Sequence, residues 1–129
     1  MAQIKSYDTL SDVKEHVKRG RVISKGAKLK IASGVVTATD SYHLIQSEGA
    51  GGDLLDTINF AVTAQPGQLL VLGVDAAQEA TGVITVKNGT GNVVCGADRQ
   101  LDGPHDGITL MWMGDKWAML SYADNGGGA

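Results

Sequence analysis

The stretch that decides the fold is Ile108-Thr109-Leu110-Met111-Trp112-Met113-Gly114-Asp115-Lys116-Trp117-Ala118-Met119-Leu120. A Gly-Asp pair between two apolar runs is typical of a two-residue hairpin loop in which the glycine takes the left-handed conformation. With residues 114 and 115 in the loop, Trp112 faces Trp117 and Leu110 faces Met119 on the opposite strand. The sequence therefore predicts a C-terminal β-hairpin with a cross-strand tryptophan pair.

The rest of the chain also has the pattern of a β-protein. Asn88-Gly89 favours the positive φ angles of a tight turn and predicts a second hairpin. The 18 glycines and only 5% aromatic residues favour short strands between many turns over long helices. The apolar runs that we interpret as strands are 22–24, 29–31, 35–39, 42–45, 54–60, 68–72, 83–86 and 93–95. We predict an all-β fold, a small sandwich or barrel with a short N-terminal helix or arm.

Charge divides the chain unevenly. Residues 1–30 carry eight basic and three acidic residues, a net charge of +5, whereas residues 31–129 carry three basic and eleven acidic residues, a net charge of −8. We therefore distinguish a basic N-terminal arm (1–30), a β-domain (31–122) and a Gly-rich tail (123–129) that we expect to be flexible. The arm is either a solvated surface segment or a contact with an acidic capsid, a nucleic acid or a neighbouring copy.

Residues 9–19 are the best helix candidate in the arm. Leu10, Val13 and Val17 recur at helical spacing, and Gly20 follows as a stop signal. Because an isolated helix of this length is marginal in water, we expect it to dock on its own chain or on another chain.

The sequence indicates no active site, cofactor site or membrane span. Cys95 is the single cysteine and lies in an apolar run, which predicts a buried, inert thiol. His16, His43 and His105 have no metal-site spacing, and Gly49-Ala50-Gly51-Gly52 lacks the Lys-Ser/Thr of a phosphate-binding loop. No apolar run approaches the roughly 18 residues of a membrane helix.

An acidic loop leaves two alternatives open. Asp98, Asp102 and Asp106 recur every four residues, and oxygen-rich loops of this kind can hold Ca²⁺. The spacing is not that of an EF-hand, and Asp-Gly and Gly-Pro are common in turns, so we favour a plain loop over a calcium site.

Five pieces of sequence occur in a suggestive order. They are Ser33–Thr37 followed by Tyr42–Ile45, Asp53–Asn59, Pro66–Leu72, Ile84–Asn92, and Ile108–Leu110 with the closing Trp117. This order resembles a small β-domain in structural proteins of tailed bacteriophages, found in capsid decoration (cement) proteins and in tail-fibre or spike modules. The resemblance runs from about Ile31 to Tyr122 and does not include the arm.

The resemblance implies a non-enzymatic decoration protein that binds the outside of the phage head and stabilises contacts between major capsid subunits. Since the chain begins with Met1 and has only about 30 residues before the β-domain, we expect a complete small virion protein. Decoration proteins of this sort are typically homotrimers. The expected location is the capsid exterior, after synthesis in the host cytoplasm, with no cofactor and with neither nucleic acid nor membrane as a partner.

Two groups of residues are predicted to make these contacts. The basic arm is expected to contact the capsid through Lys14, Lys18, Arg19, Arg21 and Lys25. The C-terminal hairpin has apolar residues on both faces. A lone domain needs only one apolar face, so we expect the second to form a trimer interface. Its predicted residues are Met111, Trp112, Met113, Trp117 and Met119.

Two other functions are considered. A tail-fibre or receptor-binding protein would contact a host carbohydrate or protein through loops such as 48–53 and 97–107. A polysaccharide-cleaving enzyme would need two carboxylates at a fixed separation, and no motif in the sequence places such a pair. We favour the decoration protein over both.

Overall fold

The computed structural model describes residues 23–125. Its strands are β1 (Leu29–Lys30), β2 (Val35–Ala38), β3 (Tyr42–Gln46), β4 (Asp53–Leu55), β5 (Thr57–Phe60), β6 (Leu69–Gly73), β7 (Ile84–Val86), β8 (Val93–Val94), β9 (Arg99–Leu101), β10 (Gly107–Trp112) and β11 (Trp117–Ala123). One short helix, α1 (Ala76–Thr81), lies between β6 and β7. The helix predicted at 9–19 and the end of the predicted tail, 126–129, lie outside the described residues.

The strands form three sheets that curl into a half-barrel. The largest has six strands in the order β1-β3-β6-β10-β11-β8, and the smaller ones have the orders β2-β5 and β4-β7-β9. The predicted all-β class is confirmed for the described residues. Five of the strand pairs are parallel, namely β1-β3, β3-β6, β2-β5, β4-β7 and β8-β11. Parallel neighbours need long crossover connections, so the chain passes repeatedly between sheets.

Strands β10 and β11 pair antiparallel across a turn at Gly114-Asp115. Trp112 lies opposite Trp117 and Leu110 opposite Met119, the pairs expected from this loop position. The Met113 amide donates to the Lys116 carbonyl over 2.9 Å, and Gly114 has a φ of 108°, which a residue with a side chain rarely adopts. The register shifts between Thr109 and Leu110, so the strand pair carries a bulge next to its centre.

The prediction of a second hairpin at Asn88-Gly89 is wrong. A turn does form there, with a φ of 83° at Gly89 and its amide bonded to the Val93 carbonyl at 2.9 Å. The flanking strands nevertheless diverge, because β7 pairs with β4 and β9 while β8 pairs with β11. The Asn88 side-chain oxygen accepts the amides of Cys95 (2.8 Å) and Gly96 (3.1 Å), which fixes the chain beyond β8 beside the turn.

Two elements were not predicted from the sequence. In α1, the Asp75 carboxylate caps the helix by accepting the Gln78 amide at 3.0 Å. Gln78 is buried, and its side-chain oxygen accepts the Ser47 amide at 2.8 Å. Strand β9 lies in the Asp-rich segment for which the sequence predicts a loop. Both elements are too short for a hydrophobic period to reveal them.

One core contains side chains from all three sheets. The six-stranded sheet contributes its inner face, whose fully buried residues include His43, Ile45, Leu70, Leu72, Ile108, Leu110 and Trp117. The smaller sheets contribute Val36, Ala38, Leu55, Ile58, Ile84, Val86 and Leu101.

The two-stranded sheet is tied to the six-stranded sheet through Asn92. Its side-chain oxygen accepts the Ile58 amide at 2.8 Å, and its side-chain nitrogen donates to the Ile58 carbonyl at 2.7 Å. The Trp117 indole N–H donates to the same carbonyl at 3.2 Å, and the Trp117 amide donates to the Asn92 carbonyl at 2.8 Å. Three of these bonds satisfy the backbone groups of Ile58 in β5, which has no neighbouring strand on that side, and the fourth joins Trp117 to Asn92.

Gly91→Ala tests how closely the chain beside Asn92 is packed. A Cβ at this position would overlap the Asp56 carbonyl oxygen, which belongs to the backbone and cannot turn away. We expect the free energy of unfolding to fall by about 1–3 kcal/mol or more, measured by urea denaturation. Gly49→Ala is the control, because a Cβ there meets no atom within 4 Å. Equal stability of the two variants would contradict this packing.

Candidate functional site

The side of the six-stranded sheet that faces away from the core is largely apolar, with Gln46, Thr109 and Ser121 as its polar members. Residues alternate along β3, β6 and β10, so that the neighbours of the buried residues point outward and are half-buried. We call this surface the outer face and define it by Tyr42, Leu44, Leu69, Val71, Met111, Ala118 and Val94. Four of these residues form one row across the strands, because Leu69 pairs with Met111, Met111 with Ala118, and Ala118 with Val94.

A groove interrupts the outer face at its other end. Leu44 lies opposite Gly73, and Gly73 lies opposite Gly107, so two neighbouring positions carry no side chain. The resulting groove has a volume of about 420 Å³ and is bordered by Pro104 and the exposed His105. A concave apolar surface of this kind accepts a protruding side chain from a partner element.

The five residues predicted for the trimer interface do not share one surface. Trp117 is only 1% exposed: its ring stacks on Phe60 (6.0 Å between ring centroids) and lies tilted against Trp112 (5.3 Å), so it has no surface left for another subunit. Trp112 and Met119 are half-buried against the same core. Met111 lies on the outer face, and Met113 is 51% exposed next to the turn.

The sequence interpretation missed Val94 as a member of this surface, whereas it placed Leu120 on the same hairpin face as Met111. Val94 is 45% exposed and ends the row of the outer face, and Leu120 is 51% exposed on β11. The register of β8 on β11 is parallel, and no turn chemistry in the sequence signals it.

The acidic loop brings together two of its three predicted aspartates. Carboxylate oxygens of Asp102 and Asp106 lie within 4.8 Å of each other and of Asp124, which the spacing argument missed. Asp98 lies apart, because it pairs with Lys87 at 2.7 Å and accepts the Asn88 amide at 2.9 Å.

Asp106 anchors this loop. It is 4% exposed, and its carboxylate accepts the amides of Asp102 (2.9 Å), Gly103 (3.1 Å) and Asn125 (2.6 Å). Burial opposes ionisation of Asp106, but the hydrogen bonds from the Asp102 carboxyl and from these amides outweigh it and lower the pKa of Asp106. The hydrogen bond to Asp106, together with burial, raises the pKa of Asp102. Through the Asn125 amide, Asp106 holds the loop to the chain just beyond β11.

The buried His43 and Cys95, both of potentially reactive types, are held in the core by contacts that serve the fold. His43 is fully buried, its Nε2 accepts the amides of Thr39 and Asp40 at 3.0 Å each, and its Nδ1 lies 2.6 Å from the Ala27 carbonyl. Both ring nitrogens are thus engaged, as expected for a core histidine. Cys95 is buried, and burial raises the pKa of its thiol, which keeps it in the unreactive protonated form.

Only the last part of the predicted basic arm is described. Among the five predicted capsid-contact residues, Lys25 is described and exposed, whereas Lys14, Lys18, Arg19 and Arg21 lie outside the described residues. Residues 24–30 run along β3, with Lys25 bridged to Tyr42 and β1 paired in parallel with β3. Lys28 forms an ion pair with Asp75 and lowers the pKa of that carboxyl.

No protein-family model and no curated protein matches this chain. Within residues 23–125, no helix has the length and apolar character needed to cross a membrane.

Asp106→Asn tests the loop anchor. The amide cannot accept all three backbone N–H groups, so we expect a loss of about 1–3 kcal/mol in the free energy of unfolding at neutral pH. Because the folded-state pKa of Asp106 is lowered, its contribution is present above the unfolded-state pKa of about 3.9 and is lost as the pH falls through the folded-state pKa.

The measurement is urea denaturation of both proteins between pH 3 and pH 7, and the exposed hairpin residue Asp115 supplies the control Asp115→Asn. The difference between wild type and Asp106→Asn should shrink at low pH. A difference that does not change with pH, or an equal loss in the control, would refute the anchoring role.

Proposed function

We propose that this protein is a non-enzymatic decoration protein of a tailed-phage head, which binds the outside of the shell and ties neighbouring major capsid subunits together. The observation that carries the proposal is the apolar row on the outer face of this small domain. The buried His43 and Cys95 both serve packing of the core. The order of the β-elements supports the phage context through the resemblance from Ile31 to Tyr122.

The row Leu69-Met111-Ala118-Val94 is the proposed contact between subunits of a homotrimer. A domain of this size leaves about a third of its unfolded chain's surface exposed after folding, so covering an apolar row with a second subunit stabilises it further. Exposed Met113 and Leu120 lie next to the row and enlarge the apolar area. Trp117 is not part of this interface, because it belongs to the core of a single chain.

The basic arm is the proposed contact with the capsid. Its net charge of +5 suits an acidic shell exterior and contrasts with the −8 of the remaining chain. A trimer carries three arms, and each bound arm raises the effective concentration of the other two near the shell. Individually modest contacts then give firm attachment, and the shell is stabilised because the trimer binds its assembled form.

The oligomer is tested by the mass of the purified protein in light scattering at micromolar concentration. We expect three chains for the wild type and a lower mass for Val94→Lys, which places a charge in the row. Val62→Lys is the control, since Val62 is 69% exposed and lies outside the outer face. A single-chain mass for the wild type, or an unchanged mass for Val94→Lys, would contradict the proposed interface.

Attachment is tested by co-sedimentation with phage heads that lack the protein. Lys18→Glu and Lys116→Glu change the net charge equally, but only Lys18 belongs to the arm. We expect weaker binding for Lys18→Glu than for Lys116→Glu, and weaker binding of the wild type as salt shortens the screening length below about 8 Å. Equal losses would remove the arm from the mechanism, and binding to host-surface glycans without binding to heads would favour a tail-fibre protein instead.

A further inference from the structure

A cavity opens at the end of the half-barrel that carries the β10-β11 turn. Phe60 ends β5, Trp112 ends β10 and Trp117 begins β11, and these three aromatic residues line it. We call it the mouth cavity, and its volume is about 260 Å³. Its aromatic wall belongs to the core side of the six-stranded sheet, so the mouth cavity is separate from the outer face. The mouth of a β-barrel is a common position for a small-molecule site.

A loop that is fixed at both ends forms the other wall of the mouth cavity. Residues 61–68 connect β5 with β6. The Ala61 amide donates to the last carbonyl of β2 at 2.8 Å, and the Gly67 amide donates to the Trp112 carbonyl at 2.8 Å. The Trp112 amide donates back to the Gln68 carbonyl at 2.9 Å. Because both ends of the loop are held before any ligand enters, binding costs less conformational freedom.

The lining indicates a neutral ligand with an apolar face. Trp117 is buried, whereas Phe60 and Trp112 are half-buried and keep accessible surface. Val62 borders the cavity and is 69% exposed, and the subunit contact proposed above does not use it. No charged side chain is among the lining residues within 23–125, and a charged group would be costly to bury there without a partner.

Several hydrogen-bond donors at the mouth cavity have no partner in the described part of the protein. Within residues 23–125, no group accepts from the Trp112 indole N–H, from the Thr63 hydroxyl or from the backbone amides of residues 62–64. A hydrocarbon ligand would leave the donors that it covers unpaired, at a free-energy cost for each. Hydroxyl groups accept such bonds, so the lining favours a ligand that combines an apolar face with several hydroxyl groups.

We propose that the mouth cavity binds a neutral hexopyranose, with the C–H face of the sugar ring on Trp112 and Phe60 and its hydroxyl groups toward Thr63 and the loop amides. An apolar cavity of about 150 Å³ holds benzene, so a cavity of about 260 Å³ has room for a six-membered ring that carries substituents. This binding goes beyond the proposed attachment to a phage head and does not depend on it, because the site lies within one domain.

Tryptophan fluorescence of the full-length protein tests the proposal, because both tryptophans of the chain line the mouth cavity. The probes are the methyl β-glycosides of glucose, galactose and N-acetylglucosamine. We expect a saturable change in emission with at least one of them and a Kd on the order of 1–10 mM. Sorbitol, an open-chain polyol of similar size, and cyclohexanol, a ring with a single hydroxyl group, should give no saturable change.

Substitutions in the lining locate the binding. Ala64→Leu should weaken glycoside binding by about tenfold or more, because the larger side chain takes up space in a small cavity. Ala80→Leu is the matched control, since Ala80 is exposed on α1 and does not line the cavity. If circular dichroism shows that Ala64→Leu does not fold, Thr63→Val replaces it and should weaken binding about three- to tenfold by removing one hydroxyl group. Its control is Thr90→Val, at an exposed position outside the lining.

Four results would overturn the proposal. They are the absence of a saturable response to every glycoside, an equal response to sorbitol, a response to cyclohexanol without one to the glycosides, which indicates an apolar ligand instead, and glycoside binding that is unchanged by the substitution at position 64 or its replacement at position 63.

Discussion

The bonds around Ile58 determine how this half-barrel closes. Asn92 holds both backbone groups of Ile58, and Trp117 shares the Ile58 carbonyl while its own amide binds Asn92. A buried amide or carbonyl left without a partner costs about 1–3 kcal/mol, so few other arrangements of β5 and β11 are as favourable. The tie turns the Trp117 ring inward, against Phe60 and Trp112.

The direction of Trp117 in turn decides which surface of the six-stranded sheet meets other molecules. Because strand residues alternate, an inward Trp117 places Ala118 outward, together with its partners Met111 and Val94. The apolar row proposed for subunit contact is thus a consequence of the core. The other half of the same face, at Tyr42 and Val71, lies beside Ser24 and Gly26, the first described residues that are hydrogen-bonded to β3.

Local signals could be predicted from the sequence, whereas long-range pairings could not. The cross-strand pairing of Trp112 with Trp117 follows from a two-residue loop, and Gly114-Asp115 has the residue types that such a loop prefers. Asn88-Gly89 carries an equally clear turn signal, but the Asn88 side chain binds Cys95 and Gly96 and the following strand pairs in parallel with β11. The four-residue spacing predicts that Asp98 belongs with Asp102 and Asp106. In the fold Asp98 pairs with Lys87 instead, and Asp124 from beyond β11 joins the other two aspartates.

The central functional claim is that this domain covers a phage head from outside. Cryo-electron microscopy of intact particles tests it most directly, because it locates the domain and its orientation together. The account predicts a regular array of three-fold densities over the head, with the Met111-Ala118-Val94 row between subunits and the N-terminal segment toward the shell. Density confined to the tail, or particles that lack the protein altogether, would contradict it.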